Sequence, residues 1–84
     1  MKAILNNKLY DTEKAEFILG ISVPQNNFGG DVDKFNIYKT KKGNVFAEHM
    51  DEERLISDNT LKNILSRPDC VDIYIKVFGE VEEA

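Results

Sequence analysis

Four groups in this 84-residue chain have side chains or spacings that could carry chemistry: His49 beside Glu48 and Asp51, the thiol of Cys70, the carboxylates of LYDTEKAEF (residues 9–17), and the Gly29-Gly30 pair. A histidine flanked by acids can hold a metal ion, but Glu48, His49 and Asp51 match no recognised ligand spacing. The bland expectation for His49 is a solvated residue at the end of a strand. Cys70 is the only cysteine, so it can form neither an internal disulfide nor a thiolate pair for zinc. At a helix N-terminus its thiol pKa would fall and make it reactive; otherwise it is a small packing residue. Gly29-Gly30 could approach a phosphate, yet the Lys-Ser/Thr that completes a P-loop does not follow.

The acids of residues 9–17 have a structural use. Asp11 can cap a helix, with Thr12 and Glu13 in its first turn, Tyr10 and Ala15 as a hydrophobic staple, and Glu13 and Glu16 near the positive end of its dipole. That reading predicts a short helix through Phe17, Ile18 and Leu19, ending near Gly20, since Pro24 forbids a long continuation. No nucleophile with its base, no carboxylate pair in an apolar stretch and no metal motif is left over. The expectation is a protein without enzymatic activity, cofactor or metal.

The elements that would position these groups begin with AILNNKLY, a hairpin whose Asn6-Asn7 turn sets Ile4 opposite Leu9. Residues 22–34, SVPQNNFGGDVDK, read as a loop. FNIYKTKKGNVFAEHM then forms a hairpin closed by Lys41-Lys42-Gly43, with Thr40 facing Asn44, Tyr38 facing Phe46 and Ile37 facing Ala47. Phe35, Ile37, Val45 and Ala47 share the face expected to join the core. Tyr38 and Phe46 form an aromatic pair on the other face, either covered by another element or open to a partner. Ser57 caps a second helix running to about Ser66, with Ile56 and Leu61 as its staple. In CVDIYIKVFG both a strand alternation and a helical stripe are present; Asp69 as a cap and Gly79 as a stop incline the reading to helix.

Eighty-four residues suit one domain, taken as residues 1–79, with 80–84 an acidic tail. The fold class expected is α+β, two hairpins against two to three short helices. No apolar run is long enough to span a bilayer and the first residues do not form a signal peptide, so the expected compartment is the cytoplasm. The net charge of −4 argues against direct nucleic-acid binding. Residues 1–50 hold 7 Lys and 6 acids; residues 51–84 hold 4 Lys plus Arg and 9 acids, so the last third carries −5. That acidic end would be attracted to basic surfaces.

The stretches NNKLYDTEKAE, IYKTKKGNVFAEH, LISDNTLKNIL and VFGEVEEA together resemble a family of small proteins from phages, plasmids and conjugative elements of Gram-positive bacteria. Its pattern is a K-x-Y-[DN]-T-x-x-A opening, an L-Y-[RK]-T-[KR]-x-G hairpin and a helix ending in F-G. The segment CVDIYIKV departs from it in having fewer acids and alanines. The resemblance implies a non-enzymatic protein-binding module, with some relatives resembling anti-CRISPR inhibitors that bind a Cas effector nuclease stoichiometrically. On that reading the partner-binding surface is acidic: Asp51, Glu52, Glu53 and Asp58, with Glu80, Glu82 and Glu83 of the tail, and Tyr38 and Phe46 as an aromatic patch. The alternative is a self-associating protein, a homodimer through the hairpin edge or the Tyr38/Phe46 face.

Overall fold

In the computed structural model, which describes residues 1–25 and 30–79, the chain opens with strands β1 (Lys2–Leu5) and β2 (Lys8–Asp11). Asn6 and Asn7 join them at φ of 54° and 64°. Both are left-handed, as a type I′ turn requires, and asparagine tolerates that region better than most residues. Ile4 lies opposite Leu9, as expected. An antiparallel sheet of β3 (Glu16–Pro24), β4 (Val32–Lys39), β5 (Val45–His49) and β6 (Arg54–Ser57) follows, in the order β3-β4-β5-β6. Helix α1 (Asp58–Leu65), a 3-10 turn over Pro68–Cys70 and helix α2 (Val71–Phe78) complete an α+β fold.

The helix expected after Asp11 is not formed. Asp11 does accept from the Glu13 backbone N–H, through Oδ1 at 3.0 Å, but the bond closes a turn over residues 12–15 and the chain leaves it as β3. The reason is pairing: Leu19, Ile21 and Val23 alternate on one face opposite Ile37, Phe35 and Asp33 of β4, and β-branched residues fit a pleated surface better than a helix. The expected loop at residues 22–34 is likewise strand at both ends, with Pro24 opposite Val32. Gln25 N donates to Asp31 O at 3.2 Å to close the connection. Phe28 and Gly29, and the tail from residue 80, lie outside the described residues.

The central hairpin has the expected register, Tyr38 opposite Phe46 and Ile37 opposite Ala47. Gly43, at φ 89°, supplies the left-handed turn residue, and Thr40 N donates to Asn44 O at 2.8 Å. Phe35, Ile37 and Ala47 join Ile21, Val23 and Ile56 under the helices, where Leu61, Leu65 and Cys70 fill the same core. Each such side chain contributes roughly 1.5–3 kcal/mol by leaving water. The opposite face is covered by the β1–β2 hairpin, which lays Tyr10 against Phe46 and Leu55. The three layers are therefore helices, sheet and hairpin.

Helix α1 is capped by Ser57, whose side chain accepts from Thr60 N at 3.4 Å, and it buries Leu61 and Leu65. The ambiguous final segment is helical. The 3-10 turn over Pro68–Cys70 leads into it in place of an Asp69 cap, and no side chain caps its start. Gly79, at φ 92° with its N–H bonded to Ile75 O, ends it as expected.

Candidate functional site

His49 is not the solvated strand end that its position suggested. In the hairpin register it pairs with Phe35, and alternation from Val45 and Ala47 turns it inward, leaving it 6% exposed. The Phe35 ring stacks on the imidazole at 4.7 Å between centroids and 21° between planes, which fixes the ring plane. Its Nε2 lies 3.1 Å from Asp33 Oδ1. Its Nδ1 lies 3.0 Å from Glu52 Oε2, but off the ring N–H direction, so this enclosed nitrogen has no hydrogen-bond partner.

Each neighbour is held in turn. Asp33 Oδ1 also accepts from Gln25 Nε2 at 2.8 Å; that bond, together with His49, holds the Asp33 carboxyl below its usual range despite partial burial. Glu52 is bonded by Arg54 Nε, and Arg54 first, then His49, lower its pKa. Burial opposes a charge on His49, yet the carboxylates of Glu52 and Asp33 outweigh it and raise the imidazole pKa. Arg67 reaches into the same cleft and donates to Pro24 O and, at 3.4 Å, to Cys70 Sγ. The cleft encloses about 510 Å³, and among the described residues no serine, threonine, cysteine or lysine lines it. The arrangement can hold a cation beside the imidazole.

The other expected site residues are spread over the fold. Tyr38 and Phe46 are not an open patch. Phe46 is fully buried, and the pair, 5.5 Å apart, is covered by Tyr10, whose ring lies 5.0 Å from Phe46. The hairpin edges are not free either, since β3 flanks β4 and β6 flanks β5. Asp51, Glu52 and Glu53 are exposed on the β5–β6 turn, where Glu52 is already paired to Arg54 and His49. Asp58 is half-buried in the first turn of α1, where its Oδ1 accepts from Asn59 N at 2.8 Å. Glu80, Glu82 and Glu83 lie outside the described residues. Cys70 is fully buried in the main core, with its Sγ accepting from Arg67.

Two features escaped the sequence reading. Lys8, Lys14, Lys41 and Lys42 gather around a cleft of about 620 Å³ between the N-terminal hairpin and the β4–β5 turn. That turn and the acidic β5–β6 turn stand at opposite ends of β5, about 17 Å apart at ~3.3 Å per residue, so the molecule is polarised along the strand. The second feature is the outer side of β3, nine residues long and unpaired by any described strand. A row of aromatic contacts runs to it across the sheet, from Phe46 to Tyr38 and on to Phe17 at 5.8 Å. Phe17 is 54% exposed and Ile18, at the β-bulge, 43%. No helix among the described residues is long and apolar enough to cross a membrane. No family model, curated protein or solved structure matches the chain.

Proposed function

We propose that the protein is a non-enzymatic binding module that takes a strand of a partner protein onto the outer edge of β3. The observation that carries this reading is the contrast between the two edges of the sheet. Strand β6 has four residues, begins at Arg54 and has β1 packed beside it, the short and charged edge that resists further pairing. Strand β3 has nine residues and one charge, Glu16, with Pro24 only at its end. Half of its backbone N–H and C=O groups face away from β4, and Phe17 and Ile18 supply apolar anchors beside them. Strand addition uses such an edge: main-chain bonds give affinity and the flanking side chains give specificity.

The resemblance to mobile-element proteins makes a Cas effector nuclease the first partner to try. Asp51 and Glu53, exposed at the acidic end, would then steer docking onto a basic surface. The test compares tagged wild type with Ile18→Lys, which places a charge on the edge, and with Leu9→Lys, which places one on a still more exposed hairpin position. Capture of a partner that is lost only in Ile18→Lys supports the reading; equal capture by all three refutes it.

A second reading, self-association, has its own support in the edge. Two copies of β3 paired antiparallel about Gly20, on the regular stretch beyond the bulge, would set Leu19 opposite Ile21, apolar against apolar. Sedimentation of the purified chain separates the two: a dimer abolished by Ile18→Lys selects self-association, and a monomer selects a foreign partner.

A further inference from the structure

Asp33, His49 and Asp51 each offer a donor atom that lies within 4.8 Å of the other two. They come from the start of β4, the end of β5 and the β5–β6 turn, and the β4–β5 register brings them together. We propose that these three residues bind a divalent transition-metal ion of the zinc class, through His49 Nε2 and carboxylate oxygens of Asp33 and Asp51.

The case begins with the proton count on the imidazole. A neutral ring has one N–H and two nitrogens, and here a carboxylate oxygen stands 3.1 Å from Nε2 and 3.0 Å from Nδ1. If the proton sits on Nε2 and bonds Asp33, the enclosed Nδ1 turns its lone pair toward a carboxylate and has no donor to satisfy it. Either a second proton or, in its place, a metal ion at Nε2 removes that conflict. With the ion there, the single proton moves to Nδ1 and faces Glu52, whose half-exposed side chain can swing into line. Glu52, which also pairs with Arg54, then becomes the outer carboxylate that orients a ligating histidine.

The His49–Asp33 spacing suits an ion of this class. Two donors on one tetrahedral ion with bonds of about 2.05 Å stand roughly 3.3 Å apart, close to the 3.1 Å between Nε2 and Asp33 Oδ1. Gln25 holds that oxygen from the other side, and Phe35 holds the ring, so two of the three donors are set before the ion arrives. An imidazole nitrogen among carboxylates favours zinc-like ions over magnesium or calcium, and the lack of a thiolate disfavours copper(I). The cleft beside His49 leaves room for water in the remaining position. Three carboxylates against the guanidinium groups of Arg54 and Arg67 leave the surroundings net negative. Bound there, the ion would tie the β5–β6 turn to β4.

The test is calorimetric titration of Zn²⁺ into tag-free, chelator-stripped protein at pH 7.5, followed by ¹⁵N NMR of the single histidine. Wild type should bind one ion per chain and show the metal-bound, neutral pattern at Nε2. Asp51→Asn, on an exposed residue whose loss does not threaten folding, should weaken binding roughly tenfold or more. Asp33→Asn should do the same. Absence of binding, a histidine that keeps the imidazolium pattern in excess Zn²⁺, or binding that Asp51→Asn leaves unchanged would overturn the proposal.

Discussion

Neighbouring residues Leu9 and Tyr10 of β2 offer the sharpest test of how the layers stack. Tyr10 is 5% exposed and packed on Phe46, whereas Leu9 is 63% exposed and faces away. Truncating a buried aromatic costs about 3–5 kcal/mol, while a surface change of this kind stays within about 0.5 kcal/mol. A domain of this size is stable by only about 5–10 kcal/mol, so Tyr10→Ala should remove a third or more of the total. With a urea m-value of about 1–1.5 kcal/mol/M, its unfolding midpoint should fall by roughly 2–5 M, and that of Leu9→Ala by less than about 0.5 M. Circular dichroism during urea titration measures both. Equal losses, or a larger loss for Leu9→Ala, would mean that the hairpin lies on the sheet by its other face. The aromatic pair of Tyr38 and Phe46 would then be uncovered.

Ser57→Ala removes the side chain that accepts from Thr60 N and should cost about 1 kcal/mol; an unchanged urea midpoint would deny the cap its role. Gly43→Ala meets open space, its nearest neighbour being Lys39 Cε at 4.0 Å. Its cost should therefore be backbone strain alone, about 1–2 kcal/mol, and a neutral result would argue against the left-handed turn. In chelator-treated protein His49 gives a pH dependence of defined sign. Its folded pKa is raised, so the stabilisation is complete below the unfolded value of about 6.5 and is lost as pH rises through the folded value. Asp33, whose pKa is lowered, contributes above its unfolded value and ceases to do so as pH falls through the folded one. Urea midpoints should thus decline from pH 6 toward pH 9 and again under acid conditions; a midpoint rising with pH above 6.5 would contradict the His49 assignment.

Both hairpins were legible because turn chemistry is local. Asn6-Asn7 and Gly43 need left-handed backbone, and once a turn is fixed the register of its strands follows. Ser57 and Gly79 marked helix ends for the same reason. Strand β3 was misread because Asp11 and Glu13 make the same local hydrogen bond at a helix start and in a turn, and Phe17-Ile18-Leu19 is apolar under either period. The deciding signal was the alternation of Leu19, Ile21 and Val23, which only pairing with β4 turns into stability. His49 could have been placed inside, since the face that holds Val45 and Ala47 continues to it two residues later. Asp33 lies two residues before Phe35 on that same face. Arg67 and Glu52 could not be assigned to the cleft, because no local rule links them to Asp33. The cover over Tyr38 and Phe46 comes from Tyr10, 28 and 36 residues earlier in the sequence.

Backbone hydrogen–deuterium exchange of the chain, alone and in its complex, measures the association surface directly. The account predicts that amides between Phe17 and Val23 gain protection on binding, whether the other strand is foreign or a second copy, while the β5–β6 turn and the lysine cleft gain little. Protection confined to residues 51–53 or to Lys41 and Lys42, with β3 unchanged, would contradict it.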